Sequence, residues 1–333
     1  MKIAVLDDYQ DFVRKLDCFA LLAEHDVKVF NNSVRGVGQL ATRLAEVEAV
    51  VLIRERTRIT AQLLDKLPRL KIISQTGKAS GHIDVPACTQ RGVVVLEGSG
   101  SPVAPAELTW ALIMAAQRRI PQYVANLKQG AWQQSGLKAA AMPPNFGMGV
   151  VLHGQTLGIW GYGKIGRMIA GYGRAFGMKV LIWGRESSRA SANKDGYEVA
   201  ASKAELFEQS DVLTLHLRLN DDTRSAVQLA DLRRMKPSAL LVNTSRAELV
   251  EEHALFTALN EGRPGMVAVD VFESEPILQG HGLLRLENAI CTPHIGYVER
   301  ESYELYFGTA FRNILDFMAG NAASAANPEA AAK

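Results

Sequence analysis

The sequence predicts an α/β protein built from two doubly wound parallel sheets, and three observations lead there. Short runs of β-branched and apolar residues alternate with helix-like segments along most of the chain, the pattern of parallel strands joined by crossover helices. The runs in the second half are apolar almost throughout, as strands covered on both faces must be. The chain has 333 residues, enough for two domains each with its own core.

The first series places strands at residues 3–6, 27–30, 49–53, 70–74 and 93–96. A helix is expected over 61–67, stopped by Pro68, which has no N–H to continue it. The series ends near Gly98-Ser99-Gly100. Ser101 then reads as an N-cap with Pro102 at the first helical position. A long helix is predicted over 103–128, with Leu108, Leu112, Ala115 and Ala116 at helical spacing and Pro121 as the point of interruption. Residues 130–149, with Pro143-Pro144 and several glycines, read as an exposed connection. The second series places strands at 157–160, 180–183, 212–215, 239–243, 266–269 and 289–291. Ser202 and Glu205 have the spacing of a capping box for one intervening helix. A last amphipathic helix is expected over 302–319, followed by an alanine-rich tail, 321–333, expected to fray.

Composition excludes several classes of function. The chain is 47% hydrophobic and 22% charged, with a formal net charge of +2. No basic block or basic–aromatic interleaving points to nucleic acid. Cys18, Cys88 and Cys291 are far apart and lack metal-ligand or CxxC spacing, so no metal site is expected and a reduced, cytoplasmic setting fits. The N-terminus reads as a strand ending in Asp7-Asp8 and lacks the apolar stretch of a signal peptide. No run of 18 apolar residues occurs, so no membrane span is expected.

The most informative segment is Gly161-Tyr162-Gly163-Lys164-Ile165-Gly166. It follows an apolar strand and opens a helix, the context in which GxGxxG binds a dinucleotide. Gly161 permits the tight turn, Gly163 lets a pyrophosphate approach the backbone, and Gly166 lets the helix pack against the strand. The helix N-terminus adds unpaired N–H groups and partial positive charge. About 20 residues further on, an NAD site usually carries an acid for the ribose 2′-hydroxyl. Here Gly184 stands in its place, followed by Arg185, Glu186, Ser187, Ser188 and Arg189. Loss of the acid removes repulsion toward a 2′-phosphate, and Arg185, Ser187, Ser188 or Arg189 can bond one. NADP is therefore favoured over NAD, with Glu186 as the residue that could still meet a ribose hydroxyl.

Ligands of open α/β sheets bind beyond the carboxyl ends of the strands. In the second series those ends are polar. Asn243-Thr244-Ser245-Arg246 follows one strand, Asp270-Val271-Phe272-Glu273-Ser274-Glu275-Pro276 the next, and Thr292-Pro293-His294-Ile295-Gly296 the last. An arginine can fork onto a carboxylate, and a histidine moves protons near neutral pH, with a neighbouring carboxylate favouring the imidazolium.

These segments together resemble the D-isomer-specific 2-hydroxyacid dehydrogenase family over nearly the whole chain. Upstream, Arg54-Glu55-Arg56-Thr57, Thr76-Gly77-Lys78-Ala79 and His82-Ile83-Asp84 resemble its substrate-side loops, and Ala104 to Thr109 the start of its linking helix. The resemblance implies two Rossmann-like doubly wound parallel-sheet domains with a cleft between them. The substrate domain would comprise 1–101 and 297–333, and the dinucleotide domain 102–296. It implies Arg246, Glu275 and His294 as the catalytic set: Arg246 on the substrate carboxylate and 2-oxo oxygen, His294 as proton donor, Glu275 orienting His294. It implies cofactor contacts from Gly161, Tyr162, Gly163, Lys164, Ile165, Gly166, His216, Thr244, Ser245, Arg246, Asp270 (toward the carboxamide), His294 and Gly296, to which the segment after Gly184 adds Arg185 and Ser187. Arg54, Gly77, Lys78, Ala79 and Arg246 are the implied substrate contacts, and a homodimer through the long helix is implied as well. Three positions depart from the common pattern. Gly184-Arg185 replaces the acid, Ala247 stands where glycine is frequent, and Tyr297 where a small residue is common.

The expected activity is hydride transfer between NAD(P)H and a small 2-oxo acid such as glyoxylate or hydroxypyruvate. One alternative is an NAD-dependent dehydrogenase of a larger or phosphorylated acid such as 3-phosphoglycerate, for which Arg54, Arg56 and Lys78 are the visible cations. Another is a non-catalytic, cofactor-sensing binding protein on the same scaffold. Formate-type activity is disfavoured by Glu275, where that type has an amide.

Overall fold

The computed structural model describes residues 1–136 and 147–331, so the Pro143-Pro144 part of the expected connection lies outside the described residues. The chain divides into two units, Met1–Ser101 with Val298–Lys333, and Pro102–Tyr297.

The first unit holds a five-stranded sheet, β1 (Lys2–Val5), β2 (Asp26–Val29), β3 (Ala49–Leu52), β4 (Ile72–Gln75) and β5 (Val94–Glu97), in the order β2-β1-β3-β4-β5. All neighbours are parallel. Val50, Val51, Ile73 and Val95 are fully buried, because helices cover both faces. Those between the strands are α1 (Val37–Leu44), α2 (Ala61–Leu64) and α3 (Val85–Gln90). Thr60 caps α2 and Asp84 caps α3, each accepting from a backbone N–H one turn on. The helix expected to reach residue 67 ends at Leu64, and three-residue turns closing at Lys66 and Leu67 carry the chain to Pro68. The C-terminal helix, Arg300–Met318, returns to this sheet and is capped by Glu299. The Ser74 hydroxyl donates to Ala310 O (2.8 Å), and Asn313 donates to Glu97 O (3.1 Å).

The expectation of a fraying tail is corrected as far as residue 331. Ala326 N–H donates to Val95 O (2.8 Å), and Val95 N–H donates to the Asn327 side chain (2.8 Å). Asn327 returns a bond to Val93 O (3.0 Å) and is 1% exposed. The small alanines let the tail lie flat, and the Asn327 amide stands in for a peptide group against edge strand β5, which would otherwise leave unpaired donors and acceptors.

The second unit holds seven parallel strands: β6 (Thr156–Trp160), β7 (Lys179–Trp183), β8 (Glu198–Val199), β9 (Val212–Leu215), β10 (Leu240–Asn243), β11 (Met266–Val269) and β12 (Ala289–Cys291). Their order is β12-β11-β10-β9-β6-β7-β8. The winding reverses between β6 and β9, which marks the ligand crevice of a doubly wound sheet. Sequence reading missed β8, which has two residues and no apolar run to announce it.

Helices α4 (Val103–Gln117), α5 (Ile120–Leu127), α6 (Lys164–Ala175), α7 (Glu186–Lys194), α8 (Lys203–Gln209), α9 (Leu229–Leu232) and α10 (Ala254–Asn260) complete the unit. The predicted helix 103–128 is thus two helices. Arg119 between them has φ +55°, and Pro121, whose ring would crowd the carbonyl of Gln117, sits in the first turn of α5. Pro102, rather than Ser101, is the N-cap of α4. Ser202 caps α8 as expected, while the Glu205 carboxylate reaches back to the Ala201 N–H, one residue earlier than a capping box requires.

Candidate active site

The glycine turn after β6 has a distinct constraint at each position. Gly161 has φ +106°, and a Cβ there would stand 2.4 Å from His216 O, so the turn is pressed against the end of β9. A Cβ on Gly166 would stand 2.1 Å from Gly161 O, closer than any side chain tolerates. Gly163 is the opposite case: it is the N-cap of α6, and a Cβ there would meet nothing within 4 Å. A crowded turn beneath an open helix N-terminus fits a bound pyrophosphate. Tyr162 is buried and donates its hydroxyl to Asp195 (2.8 Å), so its ring braces the turn from inside. Burial and that carboxylate push its phenol pKa upward. Lys164 and Ile165 form the first turn of α6, with Lys164 exposed.

After β7 the chain turns at once into a helix. Arg185 is the N-cap of α7, and Ser187 and Ser188 lie in its first turn. Arg189 pairs with Glu186 and lies over the Trp183 ring at 5.0 Å. That pairing draws Arg189 and Glu186 toward each other, while Arg185 and Ser187 stay exposed at the helix start.

His216 follows β9, with Nε2 3.0 Å from the Thr214 hydroxyl. Burial among protein groups lowers its pKa to about 4, so the ring is neutral at pH 7. After β10, buried Asn243 organises the tip. Its oxygen accepts from Ser245 N–H (3.1 Å), and its amide donates to Arg246 O (2.8 Å). The Ser245 hydroxyl donates to Leu215 O (2.7 Å), and the Thr244 and Thr109 hydroxyls are 2.7 Å apart. Arg246 is half-buried, with Nη1 donating to Ser245 O (2.6 Å).

Asp270, at the end of β11, is fully buried and binds the turn that follows β12. Oδ1 accepts from the Thr292 hydroxyl (2.7 Å) and Ile295 N–H (2.8 Å), and Oδ2 accepts from Gly296 N–H (2.8 Å). Burial raises its pKa against those bonds. The carboxylate implied to face a carboxamide therefore spends three acceptor sites on the 292–296 turn. Inside that turn His294 has φ +51°, a left-handed backbone that costs a non-glycine residue about 1 kcal/mol and persists where neighbours impose it. His294 Nδ1 lies 2.6 Å from Glu275 Oε2, and Glu275 Oε1 accepts from Phe272 N–H (3.0 Å). The Tyr297 ring stands edge-on to the imidazole at 5.6 Å. Because Glu275 takes Nδ1, Nε2 is the nitrogen left for a reacting group. β10, β11 and β12 are consecutive in the sheet, so the tips carrying Arg246 and His294 start two strand spacings, roughly 10 Å, apart.

In the first unit Arg54 follows β3 and the 77–79 turn follows β4. Arg54 has φ +52°, and its Nη1 lies across Gly77, 2.5 Å from where a Cβ would be. The Ala79 N–H, implied to bind substrate, donates instead to Glu97 Oε1 (2.8 Å), and the exposed Lys78 pairs with Glu97 Oε2 (2.8 Å). Arg56 donates to Asp7 O (2.6 Å) and lies over the Tyr9 ring. Sequence reasoning missed Glu97, Asn243 and Gln75 as organisers of these turns. The available signal was a polar residue closing an otherwise apolar strand. Among the described residues no cluster of three or more His, Cys, Asp or Glu could hold a metal ion, and no helix is long and apolar enough to cross a membrane.

The seven-stranded order, the glycine turn at its reversal and the imidazole–carboxylate pair at its strand ends are the features of a dinucleotide-binding oxidoreductase. A family model described as D-isomer specific 2-hydroxyacid dehydrogenase, NAD binding domain, matches residues 110–296. The chain belongs to the D-isomer specific 2-hydroxyacid dehydrogenase family. A solved structure from Ralstonia solanacearum, provisionally named D-3-phosphoglycerate dehydrogenase oxidoreductase, is 74% identical, with a TM-score of 0.98 over 100% of this chain and 98% of that one. The D-3-phosphoglycerate dehydrogenase of Methanocaldococcus jannaschii is 36% identical over 76% of this chain, a match that spans only 46% of that longer protein. The glyoxylate reductase of Aeropyrum pernix is 37% identical over 79% of this chain and 78% of its own length.

Proposed function

We propose that the protein reduces a small 2-oxo acid, of the glyoxylate or hydroxypyruvate type, to its D-2-hydroxy acid with a nicotinamide dinucleotide. The observation that carries this reading is the 2.6 Å contact of His294 Nδ1 with Glu275 Oε2 at the end of β12, beside the β10 tip that holds Arg246. In this reading Glu275 fixes the ring and His294 Nε2 delivers a proton to the 2-oxo oxygen. Arg246 grips the carboxylate and steadies the oxygen as negative charge develops on it. Asp270 holds the turn that presents His294. The Gly161–Gly166 turn, with Thr244, Ser245, His216 and Gly296, holds the cofactor, which when bound supplies the hydride. Gly184 and the exposed Arg185 and Ser187 favour NADP(H). Arg54, with the Gly77–Lys78 backbone, meets the substrate carboxylate, the Ala79 N–H being held by Glu97. The name of the A. pernix relative supports the substrate class. The test is a steady-state panel of 2-oxo acids with NADPH and NADH: oxidation of NADPH with at least one small acid is expected, and nucleotide binding without turnover on any acid would favour the sensor alternative instead.

A second reading, a dehydrogenase of a phosphorylated acid, is favoured by the names of the R. solanacearum and M. jannaschii relatives. The engagement of Arg56 by Asp7 and of Lys78 by Glu97 weighs against it, since a phosphate would have to displace those partners. The helix α5 leaves Ile120, Val124 and Leu127 exposed along one face, with exposed Trp132 following it in the chain, and buries none of its own residues. Such a face suits a second copy of this chain, and sedimentation should report a homodimer. Free cysteines at 18, 88 and 291 fit a reducing compartment such as the cytoplasm.

A further inference from the structure

We propose that His82, acting through Gln75, is a positioning residue that holds Arg54 in its left-handed conformation and so sets the affinity for the substrate carboxylate. The proposal rests on the reading above that Arg54 and the 77–78 backbone meet that carboxylate. Four observations join into one chain of bonds. Arg54 N–H donates to the Thr76 hydroxyl (3.1 Å), and Arg54 O accepts from Gln75 Nε2 (2.8 Å). Gln75 Nε2 is also 3.0 Å from His82 Nε2, and His82 Nδ1 is 2.9 Å from the Ser80 hydroxyl. Gln75 is 1% exposed and His82 7%.

The donor directions follow from one fixed point. A carbonyl can only accept, so Arg54 O fixes the Gln75 amide with its NH₂ toward both partners. His82 Nε2 must then accept, which puts its proton on Nδ1, facing Ser80. The imidazole thereby holds the glutamine amide, through its other N–H, in the orientation that Arg54 O requires. A side chain that could not accept there would release the amide, and with it the Arg54 carbonyl. Both peptide groups flanking Arg54 are tied to the end of β4 in this way, and the left-handed backbone is what lays its guanidinium across Gly77. His82 is itself fixed, since its backbone oxygen accepts from Ile59 N–H (2.8 Å). A guanidinium held against a glycine turn presents charge and backbone N–H groups to one anion. A mobile Arg54 would bind the same anion after losing side-chain freedom, and so more weakly.

The test is His82→Leu, His82→Gln and Arg54→Ala in the full chain, with NADPH saturating and glyoxylate and hydroxypyruvate varied. His82→Leu is expected to raise KM for the acid about tenfold with kcat within about twofold, and His82→Gln, whose amide oxygen can accept from Gln75, to recover most of the loss. In the Arg54→Ala background, His82→Leu should add nothing, because the two act through one contact. Additive effects, an unchanged KM in His82→Leu, or a loss of kcat alone would overturn the proposal. Amide exchange over residues 53–57 gives an answer independent of turnover. It should quicken in His82→Leu and return toward wild type in His82→Gln, and unchanged protection would overturn the proposal even if the wild type reduced none of the acids, an outcome that would itself sink only the functional reading.

Discussion

The glycine turn after β6 in the second unit and the strand ends of the first unit belong to the same kind of parallel sheet and are made rigid by different means. In the second unit the turn after β6 is set by glycines, and its constraints are backbone against backbone: Gly161 against His216 O, Gly166 against Gly161 O. In the first unit the ends of β1 and β3, which meet where β1 lies between β2 and β3, carry Asp7 (φ +62°) and Arg54 (φ +52°). These non-glycine residues are held left-handed by side-chain bonds. Asp7 alone accepts from Ser33 (2.8 Å) and from Thr57. Asp8 accepts from Phe12 and Val13 N–H (2.9 Å each), and burial raises its pKa. A backbone-only cradle suits a ligand shared across many proteins. A side-chain lattice can be retuned by single substitutions, which suits the part of a site that must discriminate.

The sharpest way to break that contrast is through the residue that both ligands would share. His294→Ala should lower kcat by about 10²–10⁴-fold, the range for losing a general acid, while leaving the dissociation constant of NADPH within about threefold. Stopped-flow turnover and fluorescence titration of the cofactor measure the two. Equal losses in both would make His294 a structural member of the cradle.

Next in size is the cradle itself. Gly166→Val places a branched side chain where even a Cβ would lie 2.1 Å from Gly161 O, so it should cost about 1–3 kcal/mol in stability and abolish measurable dinucleotide binding. Gly163→Ala meets open space and should fold normally while weakening the cofactor by crowding the phosphate. Urea unfolding beside calorimetric titration separates the two effects. If both variants bound NADPH like wild type, the turn would be no more than a chain reversal.

The difference between the units also explains what could be read from sequence. Apolar periodicity located every strand of the described sheets except β8, because burial on both faces writes itself into consecutive residues. The glycine turn, Arg246, Asp270, Glu275 and His294 were legible because each follows such a strand directly. The first unit's lattice was not. Its bonds join residues far apart in sequence, such as Thr57 to Asp7 and Gln75 to Arg54, and depend on rotamers that no pattern encodes. The packed tail escaped for a similar reason. An alanine-rich segment has little apolar area to announce burial, and its attachment rests on the Asn327 side chain and on backbone bonds to β5 that no side-chain pattern encodes.

The pH dependence of stability gives a third, smaller test on the cofactor side. His216 titrates near 4 in the folded chain against about 6.5 when unfolded. At pH 7 it is neutral in both states and contributes no slope. Between pH 6.5 and 4 the unfolded chain binds the proton and the native chain does not, so stability falls as pH falls through that window and levels off below it. The full difference corresponds to about 3 kcal/mol, reduced to roughly 2 because His216 as a residue is only half-buried. Tm measured at pH 7, 5.5 and 4 should show a shallower acid decline for His216→Phe than for wild type. Parallel curves would mean that the imidazole is hydrated in the folded protein.

The smallest effect is expected at the start of α7, and it sharpens the comparison most. Arg185 is exposed at an N-cap, next to a glycine where an acid would exclude a 2′-phosphate. An exposed arginine–phosphate contact in water contributes about 1.5 kcal/mol, so Arg185→Ala should lower the kcat/KM preference for NADPH over NADH about tenfold. The KM for the 2-oxo acid should stay within about twofold, because nothing in the first unit's lattice depends on this helix end. Gly184→Asp should push the preference further toward NADH by returning a negative charge to the ribose. That variant has a steric cost to control for, since a Cβ at Gly184 would come within 3.3 Å of the Ser188 side chain. The contact is with the Ser188 Cβ, so pairing it with Ser188→Gly removes it and isolates the charge. An unchanged coenzyme ratio in both variants would show that α7 does not read the 2′ position, and would move cofactor choice to residues outside this turn.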